Sequence, residues 1–138
     1  MSALPLESIL LDNHALTGLV ANAPAMQVWA AYAIKHGSTI YVSAVTLAEA
    51  TSGSPRDAEL RRRVNGLKVC DATVSIGYSA GALRARAAER RRKPRDLTVD
   101  AVLAATALTL AGRTCIVTGD PHDFELLLGG SDVRVEAI

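Results

Sequence analysis

The stretch DLTVDAVLAATAL, residues 96–108, reads as a helix with two carboxylates at its head. Asp96 and Asp100 are four residues apart and share a helix face. Asp100 also opens an apolar stripe of Leu103, Ala104, Ala107, Leu108 and Ala111, the spacing of a core-facing amphipathic helix. Like charges at this spacing repel, and a charge at the edge of a core is costly unless something compensates it. The helix leads into TCIVT (114–118), a short buried strand, and Asp120 follows two residues later.

Outward from this unit the same alternation holds. SILLD (8–12) predicts a first buried strand ending on an acid, and HALTGLVA a short helix. PAMQVWAAYAIKHG is a helix with Pro24 in its first turn and Gly37 past its end. TIYVSA (39–44) is the second strand, VTLAEA starts a helix, and PRDAELRRRVNG is a polar helix with a glycine stop. LKVCDA (67–72) is the third strand, followed by a long helix from about Val74 to about Arg92. After the 96–112 helix and TCIVT come a short helix, DPHDFELLLGG, and a closing strand, VRVEAI. The order is β-α-α-β-α-β-α-α-β-α-β. It predicts one α/β domain over residues 1–138, with a central, mostly parallel sheet flanked by helices on both faces.

Composition agrees. The 138 residues are 49% hydrophobic but only 4% aromatic, so aliphatics and alanine must build the core. A net charge of +1 neither demands nor excludes a nucleic-acid partner. Cys70 and Cys115 read as small buried hydrophobes of a cytoplasmic protein. The N-terminal sequence predicts neither a signal peptide nor a membrane span.

The acids fall in a pattern. Asp12 directly follows the first strand and Asp120 closely follows the fourth. Glu49 lies a turn or two into the helix after the second strand, and Asp100 in the first turns of its own. Ligand sites in open α/β sheets form outside the carboxyl ends of strands. Four carboxylates converging there need protons or a cation, and an all-oxygen set suits Mg²⁺ or Mn²⁺. Without the cation, removing Asp12 or Asp100 should relieve repulsion and stabilise the protein. Asp96 reads as a helix cap that adds to the field. Asp123 reads as a first-turn helix acid near Asp120.

LLDNHAL, VSAVTLAEA, DLTVDAVLAATAL and IVTGDPHDFELLL, in this order and spacing, resemble the PIN-domain family, and more narrowly the VapC toxins of bacterial toxin–antitoxin pairs. The similarity runs from about Ile9 to VRVEAI. It implies a PIN-like fold whose catalytic acids fall on Asp12, Glu49, Asp100 and Asp120, with Asp12, Asp100 and Asp120 holding metal. Asp123 is an alternative to Asp120 as the fourth acid. Thr118 matches a hydroxyl residue common beside the site. The resemblance further implies a Mg²⁺- or Mn²⁺-dependent endoribonuclease that leaves 5′-phosphate and 3′-hydroxyl ends. Such a protein is a homodimer held inactive by a VapB-type antitoxin, as a heterotetramer or larger assembly. One departure is that Asn13 and His14 follow the first aspartate, where small residues are more usual. His14 is placed to reach the site, though a surface or capping role is the simpler reading.

Arg90, Arg91, Arg92, Lys93 and Arg95 gather just ahead of Asp96 and are candidate RNA-backbone contacts. Aromatics do not interleave with them, so a structured RNA such as tRNA, read by shape, fits better than base stacking along this run. Arginines 61–63 form a second run. Met26, Trp29 and Ala33 share a helix face, with Trp29 a core residue or an antitoxin contact. Two other readings remain: a PIN-fold scaffold or nucleic-acid-binding protein without catalysis, and a HAD-like phosphatase. Against the phosphatase, that chemistry wants a second aspartate where His14 stands.

Overall fold

The computed structural model describes residues 4–90 and 96–138. Its strands are β1 (Ser8–Leu11), β2 (Thr39–Ser43), β3 (Lys68–Cys70), β4 (Thr114–Thr118) and β5 (Arg134–Ala137). They form one sheet in the order β3-β2-β1-β4-β5, and all four pairings are parallel. Leu10 sits between Tyr41 and Ile116 in register. β1 and β4, at the centre, are buried along their whole length. That is why SILL and TCIVT read as continuous runs rather than alternating ones.

The helices are α1 (Asn13–Val20), α2 (Pro24–His36), α3 (Ala44–Ala50), α4 (Ala58–Val64), α5 (Val74–Ala88), α6 (Thr98–Thr109) and α7 (Pro121–Leu128). Successive side chains of β1 serve opposite faces. Leu10 joins Ile116, Ala104 and Phe124 in the core under α5, α6 and α7. Ile9 and Leu11 join Cys115, Leu19 and Met26 under α1 and α2. Helices therefore cover both faces, as the strand composition requires. The chain winds one way through β1, β2 and β3, and the other way through β4 and β5. The direction switches between β1 and β4. In parallel sheets this point leaves a crevice at the carboxyl ends of the strands.

Three expectations are corrected. VTLAEA and PRDAELRRRVNG form two separate helices between β2 and β3, where the order of elements counted one. A single 3₁₀ turn at Pro55–Asp57 leads into α4, and the buried Asp57 carboxylate accepts from the backbone N–H groups of Ser52 and Gly53, at 2.7 Å for Gly53. This carboxylate satisfies the loop that breaks the helical run. α5 ends at Ala88, and α6 ends at Thr109 with an extended Leu110. The apolar stripe of α6 is also not its sole buried face. Ala101, Leu103, Ala104, Ala105, Thr106 and Ala107 are all buried, while Leu108 is 47% exposed and Ala111 is exposed. The helix packs against α5, α7, α3 and β4, and its small alanines allow close approach on several sides.

Cys115 is fully buried, and burial is the main cause that pushes its thiol pKa up to about 12. Cys70 is half-buried and its thiol is raised too, chiefly by burial. Among the described residues no helix is long and apolar enough to cross a membrane.

Candidate active site

Asp12 stands where β1 ends and α1 begins, at the switch point. It is buried, with an extended backbone (φ −81°, ψ −177°) that makes it the N-cap of α1. One carboxylate oxygen, Oδ1, accepts from the Ala15 N–H at 2.8 Å. The other, Oδ2, accepts from the Thr118 hydroxyl at 2.6 Å and from the Gly119 N–H at 3.2 Å. The Thr118 hydroxyl in turn accepts from the Asp120 N–H at 2.8 Å. β1 and β4 are thus tied at their carboxyl ends by one carboxylate. The two oxygens divide the work: Oδ1 caps α1, and Oδ2 faces the neighbouring strand.

These bonds correct the expectation that Asp12 is only a repelling liability. A carboxylate that accepts three hydrogen bonds contributes to the fold even beside another acid.

Glu49 supplies that other acid. It is exposed on α3, yet its pKa is raised, first by lost hydration and second by the charge of Asp12. The two carboxylates therefore share one field. Thr46 lies one turn earlier on α3 and is fully buried. Its Oγ1 and the Oδ1 of Asn13 are buried without a hydrogen-bond partner among the described residues. Sequence reading missed both, although a threonine three positions before Glu49 in an apolar run is a recognisable signal. It also missed the Gly119 amide, which no side-chain motif reveals.

Asp100 is half-buried in the first turn of α6, the helix that packs against α3. Asp120 is exposed at the N-cap position of α7, and its amide is linked to Asp12 through Thr118. Asp123, in the first turn of α7, is buried. Asp96 is exposed, and its Oδ1 accepts from the Thr98 N–H at 2.9 Å and the Thr98 hydroxyl at 2.5 Å. Those bonds hold its pKa below the usual carboxylate range. It bonds the first residue of α6 from one position before the N-cap, which is Leu97 and carries no side-chain cap, so Asp96 is not the cap residue the sequence suggests.

The donor chemistry fits a hard divalent cation. Asp12 and Glu49 offer oxygen donors in a shared negative field, and the orphaned oxygens of Asn13 and Thr46 lie on the same two helices, α1 and α3. The four acids do not form a closed cage. Among the described residues no three His, Cys, Asp or Glu side chains stand close enough to share an ion.

Of the proposed RNA contacts, Arg91, Arg92 and Arg95 lie outside the described residues. Arg90 is exposed, and its Nη1 comes within 3.3 Å of where a Cβ on Gly129 would stand, at the C-terminal end of α7. Arginines 61–63 are exposed on α4, where Arg62 pairs with Glu59 at 2.9 Å. Trp29 is half-buried on α2, packed against the second core and edge-on to Tyr32 at 5.8 Å.

The fold and this edge define an α/β protein with an acidic crevice at the switch point of a parallel sheet. A family model for the PIN domain matches residues 9–126, and the chain belongs to the PIN-domain family. Three solved structures share its fold. A chain of the VapBC2 complex from Rickettsia felis, bound to a DNA fragment from its promoter, superposes with a TM-score of 0.72 at 16% identity, covering 95% of this chain and 98% of that one. One of DNA-bound VapBC from Salmonella typhimurium gives 0.66 at 19% identity, covering 96% and 98%. One of a toxin–antitoxin complex from Klebsiella pneumoniae gives 0.62 at 19% identity, covering 91% and 94%. No curated protein matches the chain in sequence.

Proposed function

We propose that this protein is a VapC-type toxin, an endoribonuclease that hydrolyses phosphodiester bonds with Mg²⁺ or Mn²⁺ and is neutralised by a VapB-type antitoxin. The observation that carries the reading is the Asp12 carboxylate. It is buried at the switch point, oriented by Thr118 and Gly119, and close enough to Glu49 to disfavour that residue's charge. The N-cap explains the Ala15 bond of Asp12, but it does not call for a second carboxylate, Glu49, in the same field, whereas a hydrolytic site does. In this reading Asp12, Asp100 and Asp120 would hold the metal, as the family resemblance implies, and Glu49 would orient water or hold a second ion. When bound, the cation lowers the pKa of a water and neutralises charge developing on the phosphate.

The protein's own contribution is orientation. Thr118 and Gly119 fix one oxygen of Asp12, and the N-terminus of α1 fixes the other through Ala15. Water attacks phosphorus and the 3′-oxygen leaves, so the products carry a 5′-phosphate and a 3′-hydroxyl. The substrate class is structured RNA such as tRNA, and the protein acts as a cytoplasmic homodimer. The shared fold of the three toxin–antitoxin complexes supports the partner. We expect the antitoxin to place an Arg or Lys near Asp12 and Asp100, and apolar anchors along the Trp29 face of α2.

The test is cleavage of total cellular RNA with and without Mg²⁺. Cleavage that needs the metal and is lost in Asp12→Asn supports the reading. Cleavage unaffected by EDTA overturns it.

A further inference from the structure

Gly119 has no positive φ, so its backbone does not call for glycine. Space does. A Cβ there would lie 2.7 Å from Cγ and 2.8 Å from Nδ1 of His14, well inside contact distance. The His14 ring is therefore seated on the Gly119 backbone. That same backbone gives its N–H to Asp12. His14 is nevertheless exposed, so its imidazole stands at the solvent-facing carboxyl edge of the sheet beside the Asp12–Gly119 bond. It stands two residues from Asp12 in sequence and lies on the β4–α7 connection in space.

Besides His14, the exposed imidazoles are His36 at the end of α2 and His122 in the first turn of α7, and neither is in a described contact with the Asp12–Gly119 unit. Phe124 is fully buried, Trp29 and Tyr32 pack together on α2, Tyr41 is half-buried, and Tyr78 is exposed on α5. None of them is among the residues that shape the Asp12 site, whereas His14 is. Single-stranded or looped RNA is gripped by stacking unpaired bases on aromatic or histidine rings, because phosphate contacts alone carry no base information.

We infer that His14, seated on Gly119, is a substrate-positioning residue that stacks a nucleobase beside the scissile phosphate. This rests on the ribonuclease reading above and adds a determinant of base preference to it. Gly119 is then the seat that keeps the ring level with the site.

The experiment maps cleavage sites of the wild-type chain on total cellular RNA by 5′-end sequencing. It then measures KM and kcat on a synthetic RNA hairpin carrying the mapped site. In His14→Ala, KM rises about tenfold, in the range of one lost base stack, while kcat changes little. Base preference next to the cut weakens. His14→Phe restores both, and His14→Gln behaves like His14→Ala. Unchanged KM and base preference in His14→Ala overturn the inference and leave the nuclease reading intact. Rescue by Gln but not Phe overturns stacking in favour of a hydrogen bond. A fall in kcat alone overturns positioning. A wild-type chain that cleaves no RNA overturns the nuclease reading, and this inference with it.

Discussion

Replacing Asp12 with alanine separates the structural work of this carboxylate from its chemistry. The variant loses the N-cap of α1, worth about 1 kcal/mol. It also strips the acceptor from the Thr118 hydroxyl and the Gly119 N–H, at 2.6 and 3.2 Å. Thr118 is fully buried, so an unmade bond there costs about 1–2 kcal/mol. Relief of repulsion with the exposed Glu49 returns less than about 1 kcal/mol in a solvent-screened setting. The net expectation is a loss of about 2 kcal/mol, or roughly 8 °C in Tm for a domain of this size. Asp12→Asn keeps an oxygen for the Ala15 N–H but turns an NH₂ toward the Gly119 N–H, and should lose about 1 kcal/mol. Urea denaturation in EDTA measures both. An Asp12→Ala protein as stable as wild type, or more stable, refutes the reasoning. The carboxylate would then be the destabilising charge that the sequence alone suggests.

Glu49 gives a pH signature of opposite sign. Its pKa is raised in the folded state, so the native protein binds more protons than the unfolded chain just above the ordinary glutamate value of 4.5. Stability from this group is therefore present below that value and lost as pH rises through the folded pKa. Glu49→Gln should flatten the metal-free stability profile in that window and gain up to about 1 kcal/mol at pH 7; a steeper profile would contradict the assignment. Phe124→Ala, in the α7 core and fully buried, should cost about 3–5 kcal/mol by urea titration, and a loss under 1 kcal/mol would show the core is not closed there. Cys115, with its thiol raised to about 12, should stay unreactive toward a thiol reagent until the protein unfolds, while the half-buried Cys70 reacts slowly. If a cation and an antitoxin side chain meet the same carboxylates, antitoxin affinity should fall as Mg²⁺ rises. Affinity independent of Mg²⁺, with Trp29→Ala also silent, would place inhibition elsewhere.

Strands and helix ends were largely legible, because local chemistry decides them. Pro24 and Gly37 (φ 69°) bracket α2 as their stereochemistry demands. What local chemistry does not carry was missed. VTLAEA and PRDAELRRRVNG were legible as separate helices, but not the Asp57 carboxylate that folds back onto Ser52 and Gly53 between them. The many-sided burial of α6 follows from its neighbours rather than its periodicity. At the site, Asp12 was legible by position, since it directly follows a buried strand at the carboxyl edge of the sheet, where an acid serves as an N-cap or in a ligand site. The Thr118 and Gly119 bonds that hold it, and the His14 ring over Gly119, join residues more than 100 positions apart. Only the parallel pairing of β1 with β4 brings them together.

The most direct test of the central claim is metal-dependent RNA cleavage by purified protein, wild type beside Asp12→Asn and Asp100→Asn, with circular dichroism on the same samples. The account predicts cleavage by wild type with Mg²⁺ or Mn²⁺ that EDTA abolishes, ends bearing 5′-phosphate, and no cleavage by either variant while their helical signal is retained. Full activity in both folded variants, or cleavage that persists in EDTA, would contradict it.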